Sequence, residues 1–136
     1  MEKAAFTLSN YVFSKVLIDY SKRKNSPDID INLQPSGVLH KKESVYVLSF
    51  LFQATTENNE PFIEILCVAD FSFDNKVEKN SIPSFFYKNS IAILFPYIRA
   101  FISTVTLQSN AKPIVLPTMN LSSLENPLKE NTKEVE

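Results

Sequence analysis

The chain has 136 residues, the length of one domain, with 44% hydrophobic and 21% charged residues and a net charge of −1. It can build a core, and no excess of charge draws nucleic acid or anionic lipid to it. A single glycine (Gly37) excludes glycine-rich phosphate cradles. A single cysteine (Cys67) excludes internal disulfides and cysteine zinc sites, and a single histidine (His40) argues against a histidine-led triad or metal cluster. No cofactor is expected.

Residues 1–5 show no basic stretch leading into an apolar one, so a cytoplasmic location is expected. The longest unbroken apolar runs, at 65–69 and 91–95, are five residues each, so no membrane insertion is expected. Residues 6–19 alternate at period two, rich in aromatic and β-branched side chains, and predict a long strand. Strict alternation puts Phe6, Leu8, Asn10, Val12, Ser14, Val16 and Ile18 on one face. The charged run at 21–27 (SKRKNSP) ends it. Asp28-Ile29-Asp30-Ile31-Asn32-Leu33 predicts a second strand with one wet face.

Residues 44–56 (SVYVLSFLFQATT) are apolar on both sides, as a strand covered on two faces would be. Residues 62–73 predict a fourth strand, with Ile63, Ile65, Cys67, Ala69, Phe71 and Phe73 on one face. Short connections favour an antiparallel meander. From residue 90 the period becomes helical. Ile91, Leu94, Phe95, Ile98, Phe101, Ile102 and Val105 form a broad stripe, with Ser90 as the expected cap and Pro96 near the start. A helix this apolar needs a second cover, so self-association is expected, with Ile91, Leu94, Ile98, Phe101, Ile102 and Val105 as the interface. The expected fold class is α+β: a four-stranded antiparallel β-meander packed on a long α-helix. Ser122-x-x-Glu125 is a capping box cut short by Pro127, so the domain is expected over 1–125, its C-terminal helix short or absent. A polar, disordered tail is expected over 126–136.

Enzymatic chemistry finds little support. His40 beside Lys41 and Lys42 reads as a solvated histidine and Cys67 as inert core. Glu64, Asp70 and Asp74 read as a solvated sheet face, and Lys22-Arg23-Lys24 as a solvated loop. The protein is expected not to be an enzyme. Its surplus is apolar: Phe71, Phe73, Phe85, Phe86 and Tyr87, with Leu116 and Met119 in an irregular stretch, suit a groove for varied apolar segments.

The run ILFPYIR at 93–99, with Ile102-Ser103 after it, is similar to the SecB family of bacterial protein-export chaperones, whose helix reads ILFPYAR followed by Ile-Ser/Thr. The family's next loop, roughly LPPVNF after a proline, resembles LPTMNL at 116–121 after Pro113. Phe6-x-Leu8, 16–19, 45–47, 62–64 and Phe71-Ser72 resemble the family's strands, so the likeness spans residues 5–124.

The resemblance implies a homotetramer, a dimer of dimers stacked through the helices. It also implies ATP-independent holding of unfolded or pre-secretory polypeptides, with Phe71, Phe73, Phe85, Phe86, Tyr87, Leu116 and Met119 as client-binding residues. Asp19, Phe62 and Glu64 match family positions that dock the motor SecA. Lys15 stands where the family has an acid, which reverses one charge of that patch. A dedicated client, such as an antitoxin, fits the same reading. The alternative is a scaffold of this fold without chaperone activity.

Overall fold

The structure, a computed structural model, describes residues 5–25, 28–57, 60–116 and 121–136. Its elements in chain order are β1 (Phe6–Ile18), β2 (Asp30–His40), β3 (Val45–Thr55), β4 (Ile63–Phe73), α1 (Ser84–Gln108), α2 (Glu125–Glu130) and β5 (Thr132–Val135).

Alternation builds the sheet. On β3 the side chains of Tyr46, Leu48, Phe50, Phe52 and Ala54 are fully buried, and on β4 so are Ile63, Ile65, Cys67, Ala69 and Phe71. The antiparallel register sets Phe50 opposite Cys67 and Phe52 opposite Ile65, so both inner rows face one side. Onto that side packs α1 through Phe86, Ile91, Leu94, Ile98 and Ile102, all buried. The opposite side of β3 is only half-buried, so the expected cover on two faces is absent there among the described residues.

Two expectations about the sheet are corrected. It has five strands, not four, and its order is β1-β4-β3-β2-β5. The segment β2-β3-β4 is a meander, but β1 pairs with β4 at the far edge rather than with β2. The connection from β1 to β2 is long enough to cross the sheet, and it begins with a 3-10 turn, Tyr20–Lys22.

Strict alternation along β1 also fails. The pairing with β4 slips at two bulges, between Leu8 and Asn10 and between Phe13 and Lys15. Each bulge adds one residue and exchanges the faces. The helix-facing row therefore runs Phe6, Leu8, Tyr11, Phe13, Val16, Ile18, of which Phe6, Leu8, Phe13 and Ile18 pack against the core and Tyr11 and Val16 stay exposed, while Asn10 and Val12 turn outward.

The helix starts earlier than its stripe suggests. Pro83 precedes α1 and accepts the first bond, from the Phe86 N–H at 2.9 Å, so Ser90 is interior. Pro96 lies well inside, on the exposed side, where water can take the Ala92 carbonyl it leaves free. At 25 residues α1 is long and apolar enough to cross a membrane, but its buried stripe is spent on its own sheet. It ends in a Schellman motif: Asn110 sits at φ 65°, its N–H bonds the Leu107 carbonyl, and the Ala111 N–H bonds that of Thr106.

The C-terminus is ordered, not a loose tail. Leu128 on α2 is fully buried, and β5 adds in parallel to β2, with Gly37 opposite Thr132 and His40 opposite Val135. Polar composition hid this because the strand is held by backbone pairing and one buried hydroxyl. The Tyr46 and Thr132 hydroxyls share a 2.6 Å hydrogen bond.

Candidate functional site

After the Schellman turn the chain returns along α1 as an irregular segment, and hydroxyls on the last turns of α1 hold it. Thr106 Oγ1 accepts from the Ile114 N–H at 2.9 Å, and Ser103 Oγ donates to the Ile114 carbonyl at 3.0 Å. With its backbone so clamped, the segment offers Pro113, Ile114, Val115 and Leu116 as one wall of a groove. The opposite wall is Ile29 and Ile31, at the start of β2, with Arg23 and Lys112 completing the lining.

The groove measures about 290 Å³. Val115 stands 65% exposed above Leu116, which is buried. Around the site, the Tyr20 hydroxyl meets Ser109 Oγ at 2.7 Å, the Lys24 N–H donates to buried Thr56 Oγ1 at 2.8 Å, and the Arg23 guanidinium lies 5.3 Å from the Phe62 ring centre. A larger hollow of about 530 Å³ is walled by Lys41, Lys42, Lys76, Val77, Glu78, Asn80 and Ser81. It lacks the apolar walls that a greasy segment needs.

The expected client-binding residues separate. Phe71, Phe73, Phe86 and Tyr87 are core. Phe86 is the hub of an aromatic cluster, with Tyr46, Phe6 and Phe73 centred 4.7, 4.8 and 4.9 Å from it. These rings hold sheet and helix together and present no open face. Phe85 is exposed on the first turn of α1, away from the groove. Leu116 lines the groove, and Met119 lies outside the described residues. Arg23, Ile29, Ile31, Lys112, Pro113, Ile114 and Val115 were missed. For Pro113, Ile114 and Val115 the available signal was apolar residues in proline-broken sequence that fit no periodic face; Ile29 and Ile31 sat on a predicted strand face and carried no separate signal.

The expected interface residues are likewise used within the subunit. Ile91, Leu94, Ile98 and Ile102 are buried on the sheet; Phe101 stacks on Phe13 with centroids 3.9 Å apart; Val105 packs at the core margin. The side of α1 left open carries Phe85, Ile93, Tyr97 and Leu107.

The three positions matched to SecA docking lie at one end of the β1–β4 pair, where the Asp19 N–H bonds the Phe62 carbonyl at 2.8 Å and Leu17 is opposite Glu64. Phe62 is fully buried. Asp19 caps the turn after β1, and bonds from the Ser21 hydroxyl and N–H hold its carboxyl below the usual carboxylate range. Glu64 is on the outer face, ion-paired with Lys15 and accepting from Gln53 Nε2 at 2.7 Å. Those two contacts, Lys15 first, keep its pKa low. Cys67 is buried, which pushes its thiol up to about 11.

The SecB family model, described as preprotein translocase subunit SecB, matches residues 14–130. The chain belongs to the SecB family. An uncharacterised protein of Methanocaldococcus jannaschii is 27% identical over 146 aligned residues, covering 98% of this chain and 94% of the relative. Among solved structures, a SecB-like chaperone of Mycobacterium tuberculosis, in complex with a peptide from an antitoxin, superposes with a TM-score of 0.63. That match covers 85% of this chain and 91% of the other at 11% identity. A Streptococcus agalactiae protein of unknown function gives a TM-score of 0.48 at 11% identity, over 86% of this chain and all of the other. The SecB-like fold accounts for the four antiparallel strands β1–β4, the long helix and the short C-terminal one.

Proposed function

We propose that this SecB-family chain is a cytoplasmic, non-catalytic chaperone that holds unfolded polypeptides by their extended apolar segments without ATP. The observation that carries the reading is the groove between Ile29–Ile31 and Pro113–Leu116: open, walled by aliphatic side chains and edged by two cations. Such a surface recognises apolar side chains of varied shape, and holding the unfolded state slows folding by mass action. Clients with acidic residues flanking an apolar stretch complement Arg23 and Lys112.

Assembly fits the same reading. β1 is an edge strand, and the open side of α1 carries Phe85, Ile93, Tyr97 and Leu107, two unshielded surfaces from which a dimer of dimers can be built. On the outer face Lys15 neutralises Glu64, so SecA docking should be weak and strengthened by Lys15→Asp. A client dedicated to this chaperone, such as an antitoxin, therefore fits better than general export.

The test is suppression of aggregation of several unrelated denatured proteins at equimolar chaperone. The native chain should suppress it, and Val115→Asp should weaken client affinity about tenfold or more, as expected from losing one buried aliphatic contact. Suppression of none would favour a scaffold and refute the chaperone reading.

A further inference from the structure

The hollow between the β2–β3 turn and the segment after β4 has no part in the groove, and its lining reverses the sign of the chain. Lys41 and Lys42 border it from the turn and Lys76 from the segment, against one carboxylate, Glu78, in a protein of net charge −1. Among the described residues no carboxylate pairs with Lys42 or Lys76.

The backbone that carries these lysines is fixed. Ser44 closes the turn at φ 56°, its N–H bonding the Lys41 carbonyl at 3.3 Å and its own carbonyl accepting from the Phe73 N–H at 2.9 Å. Lys76 Nζ reaches across to donate to the Lys42 carbonyl at 3.3 Å, and buried Val77 backs the hollow.

One corner already shows what such donors take. Glu134 accepts from the Lys79 N–H at 2.6 Å and faces Lys41 Nζ at 3.9 Å, and Glu136 faces the same ammonium at 3.6 Å. Two carboxylates of the chain itself therefore sit at Lys41, and Lys42 and Lys76 are left over. The Lys79 N–H is taken by Glu134, so a small oxyanion meets ammonium groups without the cluster of main-chain N–H groups that cradles phosphate. Lysines are point charges on flexible stems and take carboxylates in many orientations. At about 530 Å³ the hollow is also large enough for several side chains at once.

We propose that this hollow is a docking site for an acidic polypeptide segment of a partner protein, whose neighbouring Asp or Glu carboxylates pair with Lys42 and Lys76. The site is separate from the apolar groove and does not depend on the chaperone reading. Pairs this exposed are individually weak and screened by salt, so the docking is weak and salt-sensitive.

The test is fluorescence anisotropy of a labelled peptide carrying a run of glutamates, with the matching glutamine peptide as control, on the full chain at low salt. The glutamate peptide should bind and the glutamine peptide should not. Lys42→Glu/Lys76→Glu should lose about tenfold or more in affinity, and the milder Lys42→Gln/Lys76→Gln part of that. Lys24→Glu/Lys129→Glu, which changes the net charge equally at positions outside the hollow, should keep the native affinity. Glu134→Gln/Glu136→Gln retains an acceptor for the Lys79 N–H but frees Lys41, and should bind about threefold more tightly. Equal affinity in the native chain and both Lys42/Lys76 variants, or an equal loss in the Lys24/Lys129 control, overturns the site. Inorganic phosphate that displaces the peptide better than chloride of the same ionic strength assigns the hollow to a small anion and overturns the acidic segment.

Discussion

Gly37 and Tyr46 constrain each other. A Cβ built on Gly37 would sit 1.9 Å from the Tyr46 hydroxyl oxygen and 2.2 Å from the ring carbon that bears it. The ring cannot withdraw, because it is buried and its hydroxyl is bonded to Thr132. Gly37→Ala should therefore destabilise the fold by about 1–3 kcal/mol, the usual cost of overpacking. Chemical denaturation would read this, and Tyr46→Val should rescue it, whereas Tyr46→Phe should not. Thr106 is the matching residue for the groove. Thr106→Val leaves the Ile114 N–H without its acceptor, a loss of about 1–3 kcal/mol in which client affinity falls together with stability. Neither role could be read from sequence. A lone glycine in a strand and a threonine on a helix mark only positions, and it is the tertiary neighbours that give them work.

At the scale of elements, the sequence shows what periodicity can reveal and where it stops. The inner rows of β3 and β4 and the buried stripe of α1 follow from spacing alone, because one regular backbone meets one core. The assignment of open surfaces does not. The stripe Ile91–Ile102 was the apolar face to expect at an interface, yet the sheet consumes it, and the open face is set by what α1 does not touch. The groove escaped for a related reason: residues 111–116 have no period, and side-chain hydroxyls on another element fix their path. The outer face of β1 and β4 yields a pH prediction. Glu64 has a lowered pKa because Lys15 and Gln53 bond its charged form. Its contribution is present above the normal carboxylate range and is lost as the pH falls through the depressed value. Glu64→Gln should flatten the acid limb of a stability–pH curve, and Lys15→Met should flatten it partly.

For the whole molecule, membership of the SecB family was visible in the ILFPYIR run, and the α+β architecture with it. The fifth strand was not. A four-residue segment of threonine, valine and two charged residues has the composition of a solvated tail, and it becomes a strand only because β2 offers an unpaired edge at that point. The proposed self-association belongs to this scale as well. Replacing Tyr97, which is 44% exposed, by Lys should shift the sedimentation of the assembly toward smaller species while leaving the far-ultraviolet circular dichroism of the subunit unchanged.

The two bulges of β1 behave like paired frameshifts in a message. Ser9 and Ser14 are the inserted letters, and the bulge at each one takes up the extra residue so that everything downstream stays in frame. With both deleted, the strand would read FTLNYVFKVLI, in which Phe6, Leu8, Tyr11, Phe13, Val16 and Ile18 fall on every second place. Deleting either serine alone should remove one bulge and keep every other pairing with β4, and the double deletion should leave a straighter edge, with each variant folding as judged by circular dichroism.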